Sequence, residues 1–219
     1  LQHIDTVISL REREQKIFDS LKKSLLEKMF AYQDNPYPAI RFKDFTYAWE
    51  LKSLGEIGID QNNLRIPIKE NFRKSGNIPY YGANGIQDYV EGYTHEGELI
   101  LINEDAANSL DDFPIFYENR KIWVNNHIHA LKIDKKYNAR YFAYSLKKSN
   151  YRDYIVGGDR TKLTSSAMKK ISVWVPENKE EQSKISLMLQ HIDTVISLRE
   201  RKIEKLKQIK KYLLENLFV

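Results

Sequence analysis

Leu1-Gln-His-Ile-Asp-Thr-Val-Ile-Ser-Leu-Arg-Glu-Arg13 recurs letter for letter as Leu189–Arg201. Over thirty aligned positions, Leu1–Phe30 against Leu189–Phe218, nineteen are identical, among them Lys22/Lys210, Lys23/Lys211, Leu25/Leu213, Leu26/Leu214, Glu27/Glu215 and Phe30/Phe218. Repeats with periods of about 20–50 residues announce stacked arrays. A spacing of 188 instead places one large module between two equivalent connectors. In the first copy Ile4, Val7, Ile8, Ile17, Phe18, Leu21, Leu25, Leu26 and Met29 keep the spacing of a helical stripe. With Ile4 at heptad position a, Val7 and Leu21 fall at d, Phe18 and Leu25 at a, and Arg11 and Glu14 interrupt the seam. The second copy repeats this with Ile192, Val195, Ile196, Leu206, Ile209 and Leu213, interrupted by Arg199 and Lys202. Each copy reads as a coiled-coil strand whose polar middle fixes register at some cost in stability. Two helices meeting the module on one side run antiparallel and share a local dyad; their pairing within one chain or between two chains stays open. The alternative, two unrelated helices bridging solvent, is disfavoured by the near-identity.

The boundaries are marked. After Phe30, Ala31-Tyr-Gln-Asp-Asn-Pro-Tyr-Pro38 cannot continue a helix, because proline lacks the amide and clashes with the preceding turn. Ahead of the second copy, Asn178 is the expected N-cap and Glu181 the N3 partner of a near capping box. The expected organisation is a long helix over 1–33, a globular module over 34–178 and a second long helix over 179–219. Within the module, Leu99–Ile102, Lys121–Val124, Ile128–Ile133 and Ile171–Val175 read as short strands. Arg140–Tyr154 has helical spacing, with Tyr141, Tyr144, Leu146 and Tyr151 as packing residues. Gly76-Asn77, Gly82, Asn84-Gly85 and Gly157-Gly158 are turn signals. The fold class is α+β: one mixed α/β domain flanked by two long helices forming an antiparallel coiled coil.

Composition narrows the function classes. The 219 residues suffice for one or two domains with a sound core, and the net charge of +5 permits a polyanionic partner without requiring one. The lack of cysteine removes disulfides, zinc thiolate sites and a thiol nucleophile, and fits a reducing, cytoplasmic setting. No apolar run approaches a membrane span, and no signal peptide is visible. The chain begins inside a helical pattern without a methionine, which reads as a fragment or as a chain missing its upstream residues.

Gly76-Asn-Ile-Pro-Tyr-Tyr-Gly-Ala-Asn-Gly-Ile86 reads as a Gly-rich loop between strands. Its Asn and Tyr side chains can reach base edges or phosphates, or equally build a turn with core tyrosines. Residues 147–170 carry Lys147, Lys148, Arg152, Arg160, Lys162, Lys169 and Lys170 against Asp153 and Asp159, a surplus equal to the net charge of the chain. Such a stretch neutralises phosphates or forms a solvated face. His127-Ile-His129 lacks a third ligand and reads as core or surface histidine. Glu104, Asp105, Asp111 and Asp112 share one loop and read as solvated carboxylates. Asn77-Ile-Pro-Tyr80 is similar to the Asn-Pro-Pro-Tyr tetrapeptide of amino-methyltransferases, but isoleucine replaces the first proline and no Gly-rich methyl-donor turn accompanies it. No Ser/His/Asp set or Walker loop is present.

Taken in order, Pro38–Glu56 (PAIRFKDFTYAWELKSLGE), Ile78–Ile86, Asn125-Asn-His127, Leu163-Thr164 with Ile171–Pro176, and Glu181–Ile185 leading to Ile192-Asp193 resemble the DNA specificity subunit of type I restriction–modification systems. That family alternates two target-recognition domains with two helical conserved regions. This chain resembles its second half: helix, recognition domain, helix. The resemblance implies a non-enzymatic subunit that binds double-stranded DNA at one half-site. It docks methyltransferase (modification) subunits and, through them, the restriction subunit, with a homodimer as a further possibility. No catalytic residue, metal or cofactor is expected in the chain itself. Tyr80, Tyr81, Asn84, Asn125 and Asn126 are the candidates for base edges, and Lys69, Arg73, Lys74, Arg160 and Lys162 those for phosphates. The alternatives are an amino-methyltransferase fragment and a non-specific coiled-coil scaffold.

Overall fold

A computed structural model describes residues 2–105, 113–155 and 162–217. The repeated segments form helices α1 (Gln2–Lys28) and α5 (Lys179–Leu217). At 1.5 Å per residue the latter is about 58 Å long. They run antiparallel. As the α1 partner falls from Lys22 to Glu14, Glu12 and Asp5, the α5 partner climbs from Asp193 to Arg199, Lys207 and Lys210. Lys22–Asp193 and Lys210–Asp5, both 2.6 Å, occupy equivalent positions of the two copies, so one ion pair is written twice about a local dyad. Near the dyad Glu14 accepts from both Arg199 (2.7 Å) and Arg11 (2.9 Å), and these two hydrogen bonds hold its carboxyl below the ordinary range. Arg199 also lies over the Phe18 ring at 4.4 Å. Exposed pairs of this kind contribute about 0–1 kcal/mol each. The pattern of pairs fixes register more than stability.

The seam departs from the heptad expectation at one place in each copy. Leu21 and Ile209 are exposed, while the neighbouring Lys22 and Lys210 turn inward to their aspartates. A helix of 3.6 residues per turn drifts about 20° per heptad from a straight seam, and the ion pairs take up that drift. Ile17 is likewise exposed.

Between the helices lie β1 (Glu50–Ser53), α2 (Leu54–Ile57), β2 (Gly58–Asp60), β3 (Ser75–Gly82), β4 (Gly85–Val90), β5 (Glu98–Asn103), β6 (Ile115–Asn119), β7 (Trp123–Val124), β8 (Ile128–Ile133), α3 (Ala139–Leu146), α4 (Ser165–Lys170) and β9 (Ser172–Val175). The central sheet is antiparallel in the order β2-β8-β5-β6, with Ile100 opposite Leu131 and Leu101 opposite Ala130. A second sheet runs β4-β3-β7, and β1 pairs with β9. The Leu99–Ile102 run of β5 is apolar because both faces of the strand are covered. Leu99 and Leu101 join Tyr81, Ile122, Val124, Ile128 and Ala130 on one side, and Ile100 and Ile102 join the larger core on the other. Alternation of side chains along a strand sorts the run into two cores. The larger core holds Phe30, Trp49 and Tyr141 as an aromatic cluster, with the Tyr141 hydroxyl donating to the Trp174 carbonyl at 2.8 Å.

Two expectations are corrected. Gly76–Ile86 is not an open loop but most of the β3/β4 hairpin, closed by Ala83-Asn84 with Gly85 at φ +106°. A Cβ on Gly76 would meet the Val90 carbonyl at 2.4 Å, so the close strand crossing there requires glycine. The helix expected over Arg140–Tyr154 stops at Leu146, where the Tyr151 hydroxyl donates to the Leu146 carbonyl (2.7 Å) and the ring stacks on Phe113. No helix among the described residues is long and apolar enough to cross a membrane.

Candidate nucleic-acid interface

The β3/β4 hairpin and the segment 61–74 running beside β7 make up one edge of the domain. Ile66 is tied to this edge by its amide donating to the Val124 carbonyl (3.1 Å) and by Trp123 Nε1 donating to the Ile66 carbonyl (2.7 Å). Tyr80 is 1% exposed and Tyr81 3%. The Tyr80 hydroxyl accepts from the Ile68 amide at 3.0 Å, while Tyr81 donates to Glu118 and is pushed to a higher pKa by burial and by that carboxylate. The placement of these rings at base edges is therefore corrected: they hold the edge from beneath. Asn125 is also buried, its Oδ1 accepting from the His127 amide at 2.8 Å and its backbone N–H donating to the Tyr81 carbonyl. Asn84 at the hairpin tip and Asn126 beside it in the β7–β8 turn are exposed, as are Lys69 and Lys74 at the far end of β3. Arg73 is half-buried, lying 4.2 Å over the Tyr80 ring. Arg160 lies outside the described residues, as do Asp111, Asp112 and the Gly157-Gly158 pair.

Lys162 is exposed and belongs to an ionic group with Glu104 (3.6 Å) and Asp105 (3.3 Å). Arg65 joins Glu104 at 2.7 Å and caps the Asn62, Asn126 and Ile128 carbonyls, and His127 Nδ1 meets Asp105 at 2.7 Å. Glu104 and Asp105 are thus engaged rather than solvated, and they offset part of the Lys162 charge. His129 is buried between Asn62 and the Leu163 carbonyl, and burial depresses its pKa. No group of three His, Asp or Glu suited to a metal ion occurs among the described residues.

The domain and the last helix meet in a polar lock. Arg41 donates to both Glu181 oxygens, at 2.7 and 2.9 Å. Gln182 accepts from the Asn138 amide (2.8 Å) and donates to the Pro176 carbonyl (2.8 Å), while Asn138 caps α3 by accepting from the Tyr141 amide. The expected capping box is corrected: Asn178 accepts from the Glu180 amide, but the Glu181 carboxylate turns to Arg41 instead of returning to the cap. A third tie is Tyr144, whose hydroxyl donates to Asp193 at 2.6 Å.

Residues 47–208 match the type I restriction modification DNA specificity domain. The chain belongs to that family. A stretch of 127 residues is 46% identical to a type I restriction enzyme specificity subunit of Haemophilus influenzae, covering 58% of this chain and 33% of that protein. The S subunit of a type I system from M. genitalium superposes with a TM-score of 0.72 at 18% identity over 97% of this chain, and the HsdS subunit of Thermoanaerobacter tengcongensis with 0.58 at 16% identity over 98%. The chain spans 57% and 54% of those two subunits, and at these identities the likeness concerns the fold.

Several residues that shape this specificity domain carry no motif. Arg41 and Arg65 lie far in sequence from their carboxylates, at separations of 140 and 39. Asp60 is another. Burial opposes its ionisation, but hydrogen bonds from Lys169 and Ser165 (2.7 Å each) and from the Asn62 amide (3.1 Å) prevail and hold it at about 2. A carboxyl depressed below its unfolded value near 3.9 contributes stability above that value and loses it as pH falls through the folded one. Comparing unfolding of wild type and Asp60→Asn from pH 7 to 2 should show a constant difference of about 2 kcal/mol above pH ~5 that fades between about 4 and 2. A difference independent of pH would refute the ion-pair origin.

Proposed function

We propose that this chain reads a short DNA sequence as one half-site of a type I restriction–modification complex, with methylation and cleavage performed by partner subunits. The observation that carries the reading is the family match over residues 47–208, which takes in most of the globular region and most of the last helix. The division into a spacer helix over 1–33, a target-recognition domain over 34–178 and a spacer helix over 179–219 belongs to the same proposal. Asn84 and Asn126 are the base-edge candidates; Lys69, Lys74 and Lys162 are the phosphate contacts, with Arg73 beside them. Tyr80, Tyr81 and Asn125 support these residues from within.

The helices act as a ruler and as the docking surface for methyltransferase subunits, through which the restriction subunit joins. Leu10 and Leu198 are exposed, and so are Leu21 and Ile209; each pair occupies equivalent positions of the two copies. A dyad that duplicates an exposed apolar stripe supports two like partners, one on each side. A homodimer in which the stripes of two chains cover each other is the second arrangement with the same chemistry.

Selection of bound duplexes from a random pool, with the methyltransferase partner present, tests the reading. One short enriched sequence is expected, and an unchanged pool would overturn it. On the selected duplex, Lys69→Ala and Lys74→Ala should each weaken binding and flatten the salt dependence by about one unit of slope.

A further inference from the structure

We infer that Phe72 is a wedge that enters the base stack of the bound duplex, an inference that rests on the DNA-reading proposal above. The ring is 70% exposed and belongs to neither hydrophobic core. It sits on a single 3₁₀ turn, Glu70–Phe72. The Phe72 amide donates to the Lys69 carbonyl (2.9 Å) and the Arg73 amide to the Glu70 carbonyl (3.1 Å). Arg73 Nε donates to the Ile68 carbonyl (3.2 Å), its guanidinium covers the Tyr80 ring, and its other arm approaches Asp88 at 3.6 Å. Tyr80, itself buried, accepts from the Ile68 amide. The turn is therefore anchored from below, and the ring on top is presented instead of hanging on a loose loop.

Charge selects the occupant. Phe72 is bracketed by Lys69 and Lys74, both exposed and outside any ion pair among the described residues. The nearby acids are Glu70 in the turn, Asp88 held by Arg73, and Glu91, whose amide donates to the Lys74 carbonyl. Tyr47 is more exposed still, but the cleft it lines holds Asp44, Glu177 and the Arg41–Glu181 pair, a lining with a net negative charge. Of the exposed aromatics, Tyr47 and Phe72 protrude furthest, and of these two Phe72 stands beside exposed lysines. Apolar side chains of this size that enter a base step unstack it and kink the helix by about 20–90°, and aromatic stacking is sequence-tolerant because every base has a π-face. Phe72 would thus add affinity and bend the site, leaving base identity to the polar side chains and to the deformability of the step it opens.

The test uses the full chain and the duplex recovered from the pool, carrying a fluorescent dye at each end and 2-aminopurine at successive positions. Wild type should shorten the end-to-end distance and brighten 2-aminopurine at one step. Phe72→Ala should lose both signals and bind about tenfold to a hundredfold more weakly, with its melting temperature unchanged. Phe72→Trp should retain them, and Tyr47→Ala should behave as wild type. A Phe72→Ala chain that binds and bends like wild type would overturn the wedge while leaving the DNA reading intact. A wild-type chain that enriches no sequence overturns both.

Discussion

Glu181→Ala is expected to destabilise the chain by about 3–5 kcal/mol, because it removes one partner of a buried pair and strands the other. The Glu181 side chain is 2% exposed and that of Arg41 14%, so neither charge can recover hydration without local unfolding. The bidentate fork between them closes a connection between residues 140 positions apart and anchors the root of α5 to the segment that follows α1. For a chain of this size the loss corresponds to a fall of roughly 10 °C or more in melting temperature. The pair as a whole is worth less than its breakage suggests, since desolvation offsets most of the attraction. Arg41→Met combined with Glu181→Leu should therefore sit much closer to wild type than either change alone. Urea unfolding of the single and double variants measures the difference. A Glu181→Ala chain within about 1 kcal/mol of wild type would show the junction to be hydrated and the helix root unlocked.

Leu189→Ala should cost about 2–5 kcal/mol, against about 0.5 kcal/mol or less for Leu198→Ala nine residues along the same helix. Leu189 is 0% exposed within the main core, whereas Leu198 is 59% exposed. Both lie within the duplicated thirteen residues, where helix propensity and charge pattern hardly differ between them. The contrast isolates tertiary burial, because truncating Leu189 leaves a cavity in the main core that its neighbours there cannot fully close. Equal losses in thermal or urea unfolding would mean that α5 does not rest on the domain at its first turns.

The architecture was legible because its signal was redundant. Thirteen identical residues and a stripe kept over thirty positions point to paired helices whatever the module between them does. Apolar runs such as Leu99–Ile102 announced strands, although only the sheet shows that alternate residues serve different cores. The seam was legible to within one residue: Leu21 was the apolar choice, but Lys22 takes the inner place because an aspartate waits there from the other end of the chain. The candidate site was harder to read. Tyr80 and Tyr81 in a glycine-rich stretch suit a recognition loop and a buried strand equally well, and what decides is the partner strand, which local composition does not name. Glu181 fitted a capping box by spacing alone; Arg41, remote in sequence, competes for the same carboxylate and wins with two hydrogen bonds. Phe72 carried no motif, and its meaning lies in an exposure that sequence does not encode.

The twin segments differ most tellingly at Glu14, whose counterpart is Lys202. Arg11, Arg199 and Lys202 gather around one shallow cleft, with Glu14 bonded to both arginines. Overwriting the first segment with the second would put four cations there and no anion to calm them. Overwriting the second with the first would instead give each arginine an acid of its own. Homogenisation of the duplicate is thus electrically lopsided: one direction crowds like charges at the midpoint and the other pairs them.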